Sequence, residues 1–143
     1  MSLTKSKPTG ASSLLAKPRF ELMPFDSFEG QMEQLPEGAE IAITASPQLG
    51  LDATVEWSEK SAARGYTPIP HVAARYVRDK EHLDEIATRL TEAGVTDIFV
   101  PGGDREDPVG EFESAYELLV ALDDLGHEFD EVGITGYPEG HDF

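Results

Sequence analysis

The chain has 143 residues, enough for one domain with a core of its own. Its 28 acidic residues outweigh 11 basic ones, a net charge of −17, and a surface so negative repels phosphate backbones and anionic lipid, which argues against nucleic-acid and membrane partners. There is no cysteine, which excludes disulfides, thiolate nucleophiles and cysteine-ligated metals.

Residues 1–18 are rich in Ser, Thr, Lys, Pro and Gly and read as a flexible leader before a unit spanning 19–143. A first strand is predicted over Phe20–Phe25, a second over Ile41–Thr44 and a third over Tyr66–Val72 despite its two prolines. A fourth follows at Thr96–Val100 and a fifth at Glu131–Thr135.

Helical patterns lie between these runs. Asp26–Gly38 has room for a turn or two, and Leu51–Ala63 holds helix formers with Gly65 behind them. Asp79 is placed to cap a helix whose apolar face is Leu83, Ile86, Ala87, Leu90 and Ala93, with Gly94 as its stop. The last pattern puts Phe112, Ala115, Tyr116, Leu119 and Leu122 on one face and ends near Gly126.

Strands alternating with helices at this spacing imply right-handed βαβ units and a parallel sheet. Five strands can make a complete open sheet, whereas a closed barrel needs eight.

Acidic composition often marks disorder. Here 39% of the residues are hydrophobic and recur regularly among the acids, which reads as a folded, heavily hydrated acidic protein. Charge repulsion within such a chain is screened by molar salt, so a halophilic protein is expected. No stretch approaches the roughly 18 apolar residues of a membrane span, and the N-terminus lacks an apolar signal core. A cytoplasmic setting is therefore expected.

Ligands of parallel sheets meet the C-terminal strand ends, and titratable residues gather there. Glu21 lies in the first strand; Thr44-Ala45-Ser46-Pro47 follows the second and Pro70-His71 ends the third. Pro101-Gly102-Gly103-Asp104 follows the fourth, and Gly136-Tyr137-Pro138-Glu139-Gly140-His141 the fifth. A carboxylate in an apolar strand is costly without a partner, so Glu21 is read either as a general acid of raised pKa or as half of an arginine ion pair. His71 alone reads more often as a hydrogen-bonded core histidine than as a ligand, and Gly-Gly-Asp is common in ordinary turns. His71, Asp104, Glu139 and His141 have no compact ligand spacing, and no metal site is expected. Acidic helix positions such as Asp123-Asp124 read as solvated surface.

Taken in order, these rim residues resemble the methylenetetrahydrofolate reductases. Phe20-Glu21-Leu22-Met23-Pro24 resembles the family's Phe-Glu-x-x-Pro opening strand, Pro70-His71 its third-strand Pro-His, Gly103-Asp104 its Gly-Asp, and Tyr137-Pro138-Glu139-x-His141 its Tyr-Pro-Glu-x-His. Ile43–Pro47 with Gly50–Thr54, His71–Arg75 with Val77–Asp79, and Gly133–Glu139 are similar to the mycobacterial-type branch.

The resemblance implies parallel βα units of a TIM (β/α)8 barrel, truncated after about five strands, and a role in folate one-carbon metabolism. The implied reaction is reduction of 5,10-methylenetetrahydrofolate to 5-methyltetrahydrofolate with NAD(P)H, usually through FAD. In this reading Glu21 protonates N10 as the methylene bridge opens to an iminium, and Asp104 contacts the pterin or tunes the flavin while favouring the cation. His71 and Tyr137 line the flavin side beside Gly103, His141 sits at its edge, and Thr44 contacts flavin or substrate. Gly102 stands where flavin-dependent members carry an arginine, which removes a cationic contact and leaves direct hydride transfer from NAD(P)H open. The alternative is a non-catalytic folate- or nucleotide-binding fragment, or a half-barrel that self-associates or takes its remaining strands from a partner.

Overall fold

The computed structural model describes residues 16–138 and 140. The leader expected over 1–18 falls outside them except for exposed Ala16, Lys17 and Pro18. Five strands are present: β1 (Arg19–Leu22), β2 (Glu40–Ile43), β3 (Thr67–Pro70), β4 (Asp97–Val100) and β5 (Glu131–Ile134). The helices are α1 (Phe28–Met32), α2 (Gly50–Ala63), α3 (Lys80–Glu92) and α4 (Ala115–Asp124), and a 3₁₀ turn spans Ala74–Tyr76. Among the described residues no helix is long and apolar enough to cross a membrane.

Every named strand pair is parallel, β1-β2-β3 in one sheet and β4-β5 in another. A parallel bridge from His71 to Phe99 joins the two. The ladder continues beyond it, because the N–H groups of Val72, Ala74 and Arg75 donate to the carbonyls of Phe99, Pro101 and Gly102 at 2.8, 3.0 and 2.9 Å. The spatial order is therefore the chain order. The first strand stops at Leu22, short of the expected Phe25, and Pro24 beyond it cannot donate to a ladder. Pro68 and Pro70 sit within β3 nonetheless.

Side chains alternate across a strand, and the registers fix which residues share a face. Leu22, Ile43 and Pro70 are aligned on one face, Glu21, Ala42 and Ile69 on the other. Ile41 and Ile43 pack with Phe28 and Met32 of α1 and with Trp57 of α2. Ile98 and Val100 pack under α2, α3 and α4, in a core that includes Val55, Leu83, Leu90 and Leu118. Through the His71–Phe99 register these strand residues all point the same way, so the helices cover one face. Glu21, His71, Phe99 and Gly133 belong to the opposite face.

The helix signals are local and strong. Asp79 caps α3 by accepting the His82 N–H at 2.8 Å, and Gly94 takes φ +80 just past its end. Leu83, Ile86, Ala87 and Leu90 are buried as the spacing requires, each fully buried leucine or isoleucine being worth about 1.5–3 kcal/mol. Ser114 and Glu117 form a reciprocal capping box that starts α4. The expected face of α4 is corrected: Leu118, Ala121 and Leu122 are buried, whereas Tyr116 is 76% exposed and Phe112 is buried from the preceding loop. Phe112 is buried but precedes the helix, so a phase counted from it points to Tyr116 and Leu119 rather than to Leu118 and Ala121.

Candidate functional site

Beyond the C-terminal ends of β2, β3, β4 and β5 lies a cleft of about 260 Å³ lined by Thr44, Ala45, His71, Ala73, Tyr76, Pro101, Gly103, Asp104 and Tyr137. Five of the expected site residues, from four different strand ends, meet there: Thr44, His71, Gly103, Asp104 and Tyr137. Glu139 and His141 fall outside the described residues. A larger cavity of about 380 Å³ touches Lys17, Glu37, Glu40 and Thr67, but these residues are at the N-terminal strand ends, where parallel sheets rarely bind ligands.

Each wall has a local cause. The Thr44 N–H donates to the Leu22 carbonyl at 3.1 Å, and the Thr44 carbonyl accepts the Thr54 hydroxyl at 2.9 Å. Its own Oγ1 is buried with no hydrogen-bond partner among the described residues. Buried hydroxyls are nearly always bonded, so this orphan marks a position where a ligand or water group would be accommodated.

His71 is held by its backbone N–H to Ile43 O at 2.9 Å, and its ring lies 4.8 Å from the Phe99 ring. Burial pushes the imidazole below the ordinary histidine value; the Glu21 charge pulls it back up and Arg19 adds to the lowering. The ring is therefore neutral at pH 7. The Phe99 ring occupies space that only a glycine leaves, since a Cβ on Gly133 would sit 2.8 Å from it.

Gly103 takes φ +104, a conformation that L side chains rarely adopt, and the turn brings Asp104 back toward the Tyr76 ring. The Tyr76 hydroxyl donates to Asp104 Oδ1 at 2.5 Å. Burial first, then the hydrogen bond and charge of Asp104, push the Tyr76 phenol up to about 12, against a lowering by Arg105. Tyr137, at φ 41, accepts the buried Gly102 N–H on its hydroxyl at 3.1 Å. A Cβ at Gly102 would lie 3.2 Å from that oxygen, tighter than an ordinary contact, so the glycine leaves room for the tyrosine hydroxyl.

Glu21 departs from expectation. It is exposed rather than enclosed by an apolar strand, and among the described residues it makes neither an arginine ion pair nor a hydrogen bond. On the edge strand β1, Arg19 and Glu21 share a face that stays exposed. Glu21 does not line the cleft, yet its charge acts on His71.

Sequence reasoning assigns Arg75 no role and does not single out Tyr76. The Arg75 side chain is buried and donates to the carbonyls of Arg105, Glu106 and Glu113 at 2.6, 2.5 and 2.9 Å, clamping the loop that carries Asp104. The available signal was a charged residue within the apolar run Val72–Val77, costly to bury unless partnered.

No protein-family model matches the chain.

The cleft offers a neutral imidazole, two phenols, an unpartnered hydroxyl and one carboxylate, and among the described residues its lining holds no lysine or arginine. A flavin ring has donors and acceptors here, but its diphosphate has no cation. The residues present therefore do not fit FAD as a whole.

Proposed function

We propose that the chain is a methylenetetrahydrofolate reductase-type oxidoreductase on an arc of a TIM barrel, working in a salt-adapted cytoplasm. The observation that carries this reading is the convergence of Thr44, His71, Gly103, Asp104 and Tyr137 on one cleft, from motifs scattered over nearly a hundred residues. Strands in chain order with all helices on one face support the barrel, since doubly wound sheets carry helices on both.

In this reading the pterin ring of 5,10-methylenetetrahydrofolate lies in the cleft. Glu21 donates a proton to N10 as the bond from N10 to the methylene carbon breaks, leaving an N5 iminium cation. The Asp104 carboxylate stabilises that cation, and neutral His71 adds no opposing charge. Hydride from NAD(P)H reduces the iminium carbon to the methyl group and leaves NAD(P)⁺. No step is routed through FAD, and any dinucleotide must find its phosphate partners outside this cleft.

The test is NAD(P)H oxidation dependent on methylenetetrahydrofolate, in molar KCl, with and without FAD, beside Glu21→Gln. Loss of a general acid should lower turnover by about 10²–10⁴-fold. No turnover by a cooperatively melting sample would sink the enzymatic reading.

A second reading is favoured by two observations. Glu21 lies outside the cleft lining, and Val132 and Ile134 of β5 are exposed on the face that β2 and β4 bury under helices. Both suit a folate- or nucleotide-binding module, or a half-barrel completed by self-association or by a partner. Calorimetric binding of 5-methyltetrahydrofolate without turnover would favour it.

A further inference from the structure

We infer that Tyr76 is a positioning residue for Asp104: its hydroxyl fixes one carboxylate oxygen and leaves the other to address the cleft. The inference rests on the proposed reading only for what Asp104 does to a substrate; the positioning itself stands on geometry.

Asp104 is an exposed residue on a Gly-Gly-Asp turn. By itself such a side chain samples several staggered rotamers. Its neighbour Arg105 makes no ion pair with it among the described residues, donating instead to the Asp107 carbonyl at 3.2 Å, and Glu106 and Asp107 carry its own sign of charge. Tyr76 is the opposite kind of group, 5% exposed and seated in a 3₁₀ turn whose backbone is tied on both sides. The Tyr76 N–H donates to Ala73 O at 3.0 Å, and the preceding Arg75 N–H donates to Gly102 O at 2.9 Å. The ring lies against Gly103, where a Cβ would be 3.4 Å from its edge atoms, and the Arg105 guanidinium sits 5.6 Å from its centroid.

A buried phenol thus meets an exposed carboxylate at 2.5 Å, the length of a charge-assisted O–H···O⁻ bond. Among the described residues it is the one hydrogen-bond donor to Asp104. A phenol suits the task because it stays protonated: with its pKa pushed up to about 12, it remains a donor across the physiological range. An ammonium or guanidinium in its place would hold the carboxylate equally well but would cancel the charge that the cleft presents.

The experiment compares wild type, Tyr76→Phe and Asp104→Asn by NMR and kinetics in molar KCl. In the wild type, Hα–Hβ couplings of Asp104 should report a single χ1 rotamer, and a Tyr76 hydroxyl proton should resonate downfield of the amides. In Tyr76→Phe the couplings should average while the melting temperature holds. The hydroxyl signal should move upfield in Asp104→Asn, which tests the same bond from the other end if Tyr76→Phe folds poorly. Kinetically, Tyr76→Phe should lower kcat about tenfold, with no further loss in the Asp104→Asn background.

Averaged couplings in the wild type, or unchanged couplings in Tyr76→Phe, overturn the inference, as does a hydroxyl signal indifferent to Asp104→Asn. A kinetic loss that simply adds to that of Asp104→Asn also overturns it, because the two residues would then act independently. Absence of any wild-type turnover rejects the proposed reaction and leaves the coupling result to decide the positioning.

Discussion

Gly133 of β5 faces Phe99 of β4 so closely that a single Cβ at position 133 would lie 2.8 Å from the phenyl ring. The same ring packs against His71, with the centroids 4.8 Å apart and the planes tilted by 53°. The glycine therefore makes room for the ring that packs against His71, a residue of the cleft lining. Gly133→Ala should destabilise by about 1–3 kcal/mol through overpacking and shift the His71 ring resonances. A denaturant melt and a ¹H–¹⁵N spectrum of the histidines check both; unchanged His71 signals would contradict the coupling.

Tyr137→Phe removes the acceptor of the buried Gly102 N–H. An unpaired buried amide costs about 1–3 kcal/mol, so the variant should melt earlier. Hydrogen exchange should accelerate most at Gly102. Equal exchange in both proteins would mean that the tyrosine does not hold the turn.

The loop between β4 and α4 is anchored at Gly110 as well as by Arg75. A Cβ on Gly110 would fall 1.7 Å from the Arg78 carbonyl oxygen, which also accepts the Glu111 N–H at 3.0 Å. No side-chain adjustment relieves a clash with backbone. Gly110→Ala should cost at least about 2 kcal/mol and loosen the loop bearing Asp104, which limited proteolysis would detect. Wild-type resistance to cleavage in the variant would count against this anchor.

Two histidines make stability depend on pH. His71 and His82 are both lowered from the ordinary value of 6.5, chiefly by burial. For His82 the Arg78 charge adds to the lowering while Asp52, Glu85 and Asp79 oppose it, and its Nδ1 accepts the Arg78 N–H at 3.1 Å. A lowered folded pKa means that the unfolded chain binds more protons, so stability rises with pH in this window. The contribution is complete above 6.5 and is lost as pH falls through 6.5 toward the lower folded values. Urea melts between about pH 5 and 7.5 should steepen accordingly, and His82→Gln should flatten the dependence. A slope of opposite sign would refute the assignment.

Salt should stabilise the fold. Arg19, Lys60, Arg64, Lys80 and Arg89 sit in surface ion pairs with Glu40, Glu56, Glu29, Asp124 and Glu59. Screening weakens such pairs, each worth about 0–1 kcal/mol. It also relieves the self-repulsion of a net charge of −17, and because most acids among the described residues lie outside these pairs, the second effect wins. The melting temperature should climb between about 0.1 and 3 M KCl; a flat or falling curve removes the halophilic reading.

What the sequence determined by itself is local and periodic. The Asp79 cap, the Gly94 stop and the Leu83–Leu90 spacing describe α3 within one residue of its ends, because capping and amphipathicity are properties of neighbouring residues. The five strands were legible as apolar runs between helices, and the rim positions Thr44, His71, Gly103, Asp104 and Tyr137 followed from where those runs end. Only tertiary structure decided what touches what. Nothing local says that Tyr76 reaches Asp104 across 28 residues, that Arg75 clamps carbonyls as far away as Glu113, or that Gly133 makes room for Phe99. Those depend on strand register, which is set by the packing of whole faces. The exposure of Glu21 was decided the same way: an apolar strand encloses a carboxylate only if something lies across that face, and on β1 the face is open.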